Sequence, residues 1–193
     1  MDISLLYKKL TPVFAAALLL LASCSAEPQN QNVKDFTLQS LQGPVSLHDY
    51  KDKVVLLFFG YTHCPDICPA TMNNVANALR SLKAKSDQVK VLFVTVDPER
   101  DSAEHLAKYV AFFHPNITGL TGTAEEIKSV AGAYDAEFFK QVAEGSKGYE
   151  MIHTSMLFLI NSDAKILDIM SHHTEPDDIA IAVRKWLNSA SNR

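Results

Sequence analysis

The sequence predicts an α/β domain in which a βαβ unit is followed, past inserted helical sequence, by a ββα unit, with a small β-hairpin ahead of both. Three observations predict it. Residues 54–59 (Val-Val-Leu-Leu-Phe-Phe) and 91–96 (Val-Leu-Phe-Val-Thr-Val) are apolar runs rich in strand formers, as suits central strands covered on both faces. Between them Met72, Val75, Ala76, Leu79 and Leu82 recur at helical spacing, which makes the two strands a parallel pair joined by a crossover helix. Late in the chain, residues 155–160 and 165–170 read as strands separated by a short turn, and Pro176 opens a last helix. The 193 residues are 47% apolar and 21% charged, the composition of one globular domain, and no internal repeat or low-complexity region interrupts them. A net charge of −4 supplies no basic field of the kind that drives nucleic-acid binding, so no nucleic-acid partner is expected.

Taken in order, the chain begins with an export signal. Lys8 and Lys9 precede an apolar stretch over 13–22 that is about half the roughly 20 residues needed to cross a bilayer. It ends in Leu21-Ala22-Ser23-Cys24, which resembles a bacterial lipobox. That resemblance implies a signal peptide over 1–23, removed on export, and a lipidated Cys24 at the start of the mature chain. Residues 24–32 have the polar, aperiodic composition of a flexible tether, and the domain proper runs over 33–193. Residues 35–39 and 45–48 are short strands around the turn signal Gln42-Gly43-Pro44. After the second core strand, a helix starts near Asp101 or Ser102 and buries Leu106, Tyr109, Val110 and Phe113. Another starts at Thr123, where Glu126 completes a capping box and Ile127, Val130, Ala131 and Tyr134 form the stripe. The last helix presents Ile179, Ala182, Val183 and Trp186. This order, βαβ-α-ββα with an N-terminal hairpin and an inserted helix, is the thioredoxin-like arrangement.

In such a fold, chemistry gathers at the carboxyl ends of the strands, and the turn after residue 59 carries it. It reads Gly60-Tyr61-Thr62-His63-Cys64-Pro65-Asp66-Ile67-Cys68-Pro69. Two thiols at the amino end of a helix meet unpaired N–H groups and the positive end of the dipole, both of which favour thiolate. The pair is either a redox dithiol or a metal clasp. Helix positions i and i+4 hold Cβ atoms about 5–6 Å apart, whereas a relaxed disulfide wants about 3.5–4.5 Å. Two metal–sulfur bonds of about 2.3 Å span the gap without tightening the turn. The spacing leans toward metal and leaves redox chemistry open.

Soft thiolates favour Cu(I), zinc or iron–sulfur clusters; two are too few for a cluster, and a metal needs a third ligand. Of the seven histidines, His48, His105 and His114 fall in hairpin or helix positions, and His172 and His173 in a loop after a strand. His63 adjoins Cys64, but its side chain points elsewhere unless the loop folds back. His153 stands just before the strand at 155–160, in the loop that lies against the cysteine turn in thioredoxin-like folds. That loop usually carries a cis-proline on which oxidoreductases seat a peptide; here it reads Ile152-His153-Thr154. An imidazole there closes a Cys2His site of Cys64, Cys68 and His153.

The ten-residue cysteine motif, the later Val96-Asp97-Pro98-Glu99-Arg100-Asp101 and His153 ahead of a strand together resemble the SCO/SenC family of membrane-tethered copper chaperones, across essentially the whole mature chain. The resemblance implies that Cys64, Cys68 and His153 bind Cu(I) or Cu(II). It implies delivery of copper to the CuA centre in subunit II of cytochrome c oxidase, and an upstream copper donor or thiol reductase as a further partner. It also places the protein in the cell envelope, lipid-anchored and facing the periplasm or extracytoplasmic side. Some members are thought to reduce the oxidase's copper-ligand cysteines. A thiol–disulfide oxidoreductase, or a peroxiredoxin-like peroxidase, is accordingly the alternative, with Cys64 and Cys68 as its redox-active pair. Two positions depart from the family's habit: Ile152 where an acidic or small residue is usual, and Ala103 where proline is. Asp97, on the same sheet edge as the cysteines, is a candidate to support the metal site or to dock a partner. Arg100 is expected to pair with Asp66 or Asp101.

Overall fold

A computed structural model describes residues 35–142, 148–161 and 163–190, all within the second of the chain's two units, Gln31–Arg193. The expected leader, tether and lipidated Cys24 lie outside the described residues. The elements are β1 (Thr37–Ser40), β2 (Gly43–Ser46), β3 (Val54–Gly60), α1 (Ile67–Leu82), β4 (Val89–Thr95), α2 (Ala103–Ala111), β5 (Ile117–Leu120), α3 (Ala124–Ala133), β6 (Phe138–Gln141), β7 (Glu150–His153), β8 (Met156–Ile160), β9 (Ile166–Ser171) and α4 (Pro176–Ala190).

The central sheet has the order β5-β4-β3-β8-β9, with β3 parallel to β4 and antiparallel to β8. The expected βαβ and ββα units thus meet along β3 and β8, and the fold is thioredoxin-like. Every residue of β3 is buried, because the strand is central and covered on both faces. Leu56, Leu57 and Phe58 are fully buried, each contributing about 1.5–3 kcal/mol of apolar burial. Helices α1 and α4 pack on each other, α4 also touches β3 and β9, and α2 lies on β5. Both expected caps are present. Ser102 accepts from His105 N at 3.2 Å, and Thr123 and Glu126 make the reciprocal capping box at 3.2 and 2.8 Å.

Three features depart from the sequence expectation. The first hairpin turns at Leu41 and Gln42, with Gly43 already paired to Ser40. Gly43 has φ +116°, a conformation glycine adopts freely, so the glycine serves the strand entry instead of the loop tip. Strand β5 adds a fifth, parallel member to the sheet; its four residues include Gly119 and are too short to show a period. A second hairpin, β6–β7, stands apart from the main sheet, and it makes His153 the last residue of a strand where a loop was expected.

Candidate metal centre

The turn leaving β3 is held from beneath by a hidden carboxylate. Asp101, fully buried, accepts from Thr62 N at 2.9 Å, Thr62 Oγ1 at 2.5 Å and Thr95 Oγ1 at 2.7 Å. One residue on from His63, Cys64 N donates to Tyr61 O at 3.3 Å, and α1 begins at Ile67. Asp66 occupies the N-cap position, yet its side chain caps nothing. The sulfur of Cys64 takes that role, accepting from Cys68 N at 3.4 Å.

Both cysteines are free, Cys64 half-buried and Cys68 buried. Their acidities move in opposite directions. The Cys68 thiol donates to Cys64, and this pulls the Cys64 pKa down to about 4; burial works against it, while the N–H groups of the helix start work with it. Cys68 is pushed up, first by holding the shared proton and then by burial and the neighbouring sulfur's charge. The pair is a thiolate–thiol couple at neutral pH.

His153 reaches the sulfurs from the other half of the chain. Its ring stands edge-on to Tyr61 and Phe58, with centroids 5.8 and 6.2 Å away. Nδ1 lies 3.2 Å from Thr154 O, a carbonyl that can only accept, so the proton sits on Nδ1 and the Nε2 lone pair is bare. Nε2 is 3.6 Å from Cys68 Sγ, and the ligand atoms of Cys64, Cys68 and His153 all lie within 4.8 Å of one another. Bonds of about 2.3 Å to sulfur and about 2.0 Å to nitrogen, opened to a trigonal angle, separate S from N by about 3.7 Å. The observed spacing fits one ion of that size. This is the one cluster of three or more metal-competent side chains among the described residues. Cys64 and His153 line a cleft of about 330 Å³ with Tyr61, Pro65, Ile67 and Met151, whereas Cys68 is fully buried and does not line it.

The remaining sequence candidates sort clearly. Asp97 is buried, so its carboxylate meets no partner surface; it accepts from Tyr149 OH at 2.7 Å and from Arg100 Nε. Arg100 therefore pairs with Asp97, and neither Asp66 nor Asp101 is its partner; the i, i+3 spacing in the turn after β4 brings its guanidinium back over Asp97. The guanidinium also donates to Tyr149 O at 3.0 Å and lies 3.8 Å from the Tyr149 ring centre. Loss of water around the phenol first, and the Asp97 carboxylate second, push the Tyr149 pKa up to about 12. This strap ties the segment entering β7 to the main sheet and so helps aim His153. Sequence reasoning missed Tyr149, Thr62 and Asp101 as supports. Tyr149 lies 52 residues from Asp97, and its only local signal is the short alternation that buries Met151. His48 pairs with Asp35 on the surface, and His172 and His173 stack on each other, all away from the sulfurs.

A family model described as SCO1/SenC matches residues 25–188. The SCO2 homolog of Bos taurus mitochondria is 36% identical over 156 residues, which are 79% of this chain and 59% of the bovine protein; the chain thus spans well under two thirds of that relative. The structure of Arabidopsis thaliana ScoI with copper bound superposes with a TM-score of 0.75 at 34% identity, covering 82% of this chain and 99% of that one. BsSco, described for its disulfide switch and as a member of the Sco family of cytochrome c oxidase assembly proteins, gives 0.65 at 30% identity over 82% of this chain and 95% of its own.

Proposed function

The chain belongs to the SCO1/SenC family, and from that premise we propose that it is a copper chaperone of cytochrome c oxidase assembly. Cys64, Cys68 and His153 hold one copper ion as cargo and pass it to the CuA centre of subunit II. The observation that carries this reading is the convergence of two sulfurs and one bare imidazole nitrogen within 4.8 Å. Two soft sulfur donors and one imidazole suit Cu(I), and a closed structural zinc site would need a fourth protein ligand. The copper-bound Arabidopsis relative supports the same cargo. Cys64 and His153 face the cleft, so an incoming ligand from the partner displaces them first and Cys68 last. Among the described residues no helix is long and apolar enough to cross a membrane. Independently of that, the lipobox-like Leu21-Ala22-Ser23-Cys24 supports attachment through a Cys24 lipidated after removal of residues 1–23, with the tether of 24–32 letting the domain face the extracytoplasmic side.

X-ray absorption on the copper-loaded protein tests the ligand set: two sulfur scatterers and one nitrogen are expected, and a shell lacking either kind overturns it. A second reading, thiol–disulfide exchange with the partner's cysteines, is favoured by the thiolate–thiol couple itself, since a Cys64 ionised at neutral pH is a ready nucleophile. Copper titration of His153→Ala separates the two. Lost affinity supports the chaperone, whereas unchanged affinity with retained reductase activity supports the exchange enzyme.

A further inference from the structure

A second pair of imidazoles lies on the other side of the cysteine turn, outside the cluster just described. His63, one residue before Cys64, and His105, on the first turn of α2, bring their rings to 5.8 Å between centroids at 86°. Both side chains are about half exposed, at 48% and 46%. Each Nδ1 lies 3.9 Å from the same oxygen of Asp101, whose side chain is fully hidden from solvent.

The hydrogen bonds fix which nitrogen of each ring is available. The Thr62 hydroxyl gives its proton to Asp101, so at 3.2 Å from His63 Nδ1 its oxygen can only accept. The Arg100 carbonyl, 3.4 Å from His105 Nδ1, likewise can only accept. Both rings therefore carry their proton on Nδ1 and leave Nε2 with a bare lone pair, the state in which histidine binds metals. His153 reaches the same state through the Thr154 carbonyl. Asp101 spends its own acceptor capacity on Thr62 and Thr95 and is sealed beneath the surface, so it coordinates nothing. Its charge instead favours a cation above it.

We propose that His63 and His105 form a second, outer metal site that takes a divalent, nitrogen-preferring transition ion through their two Nε2 atoms, with water completing the shell. Cu(II) heads the affinity order for such donors and Zn(II) follows it. Unlike the thiol site, this one offers no sulfur and suits the oxidised ion. It holds that ion one residue along the chain from Cys64. The site stands independently of the cargo proposed for the thiols.

The test uses the full chain bearing Cys64→Ser, Cys68→Ser and His153→Ala, titrated with Cu(II) and followed by calorimetry and electron paramagnetic resonance. One equivalent with imidazole nitrogen couplings is expected. Adding His63→Ala or His105→Ala should weaken it about tenfold or more, since even losing an outer support of a ligand costs that much. His48→Ala, elsewhere on the surface, should leave it unchanged. No bound ion, or an affinity that survives both substitutions, overturns the proposal. Should the triple variant fail to fold, wild-type protein loaded with Cu(I) is titrated with Zn(II) and its imidazole proton resonances followed. Shifts confined to His63 and His105 support the site; shifts absent there overturn it. Failure of the cargo reading would instead appear as wild-type protein that binds no copper at the thiols while the triple variant keeps its one equivalent.

Discussion

Cys64 and Cys68 are chemically identical and four residues apart, yet the fold gives them opposite tasks. Depression of the Cys64 pKa from 9.0 to about 4 means that its thiolate contributes stability in full above the ordinary value. That contribution is lost as the pH falls through about 4. Cys68, pushed the other way, costs stability as the pH rises beyond 9.0. Iodoacetamide should therefore modify Cys64 with a rate that titrates near 4 and leave Cys68 untouched, with mass spectrometry of the peptides as the readout. The stability difference between wild type and Cys64→Ser should shrink steadily as the pH drops from 9.0 to about 4 in denaturant titrations. Copper affinity should weaken with falling pH as well, because the remaining proton on Cys68 must leave. The three converging residues were legible because their types are chemically narrow and their positions flank strands. Asp101 and Thr62 were not, since a buried carboxylate that props a loop reads in sequence as an ordinary turn residue.

The two halves of the site ride on elements of very different strength. Cys68 sits on α1, four turns long and packed on α4, and Cys64 in the turn that leads into it, while His153 ends a two-stranded hairpin whose β7 buries only Met151. Such a hairpin is marginal by itself and depends on the strap of Arg100, Asp97 and Tyr149. Arg100→Ala should cost about 3–5 kcal/mol, because it strands a buried carboxylate. Tyr149→Phe removes one hydrogen bond to a charged acceptor and should cost about 1.5–3 kcal/mol, read most directly as faster amide exchange at Met151. Hydrophobic runs and caps made β3, β4, α1, α3 and α4 readable from sequence. Strands β5, β6 and β7 escaped because each has four residues, too few to display a period, and none adjoins a Gly-Pro pair like the one that marks the equally short β1 and β2; pairing supplies what local preference lacks.

At the scale of the molecule, the sheet and its helices are packed closely enough that small additions matter. A methyl group on Gly119 would come within 2.7 Å of Leu106 Cβ and 3.2 Å of the α2 backbone. Gly119→Ala should therefore cost about 1–3 kcal/mol, since a backbone neighbour cannot swing away, and a lowered thermal midpoint with an intact fold is the expected record. Metabolic labelling with a fatty acid addresses the other end of the chain: the label should enter the wild-type protein and be absent from Cys24→Ala.

The imidazole and the sulfur it approaches stand 85 positions apart, one leading into β8 and the other following β3, and only the pairing of those two strands brings them face to face. A half-synthesised chain owns the sulfurs without the nitrogen, and a misfolded one owns all three without their meeting. Occupancy of the three-donor pocket is consequently a certificate of completed maturation, and a cell that loads it late avoids stranding a toxic ion on an unfinished polypeptide.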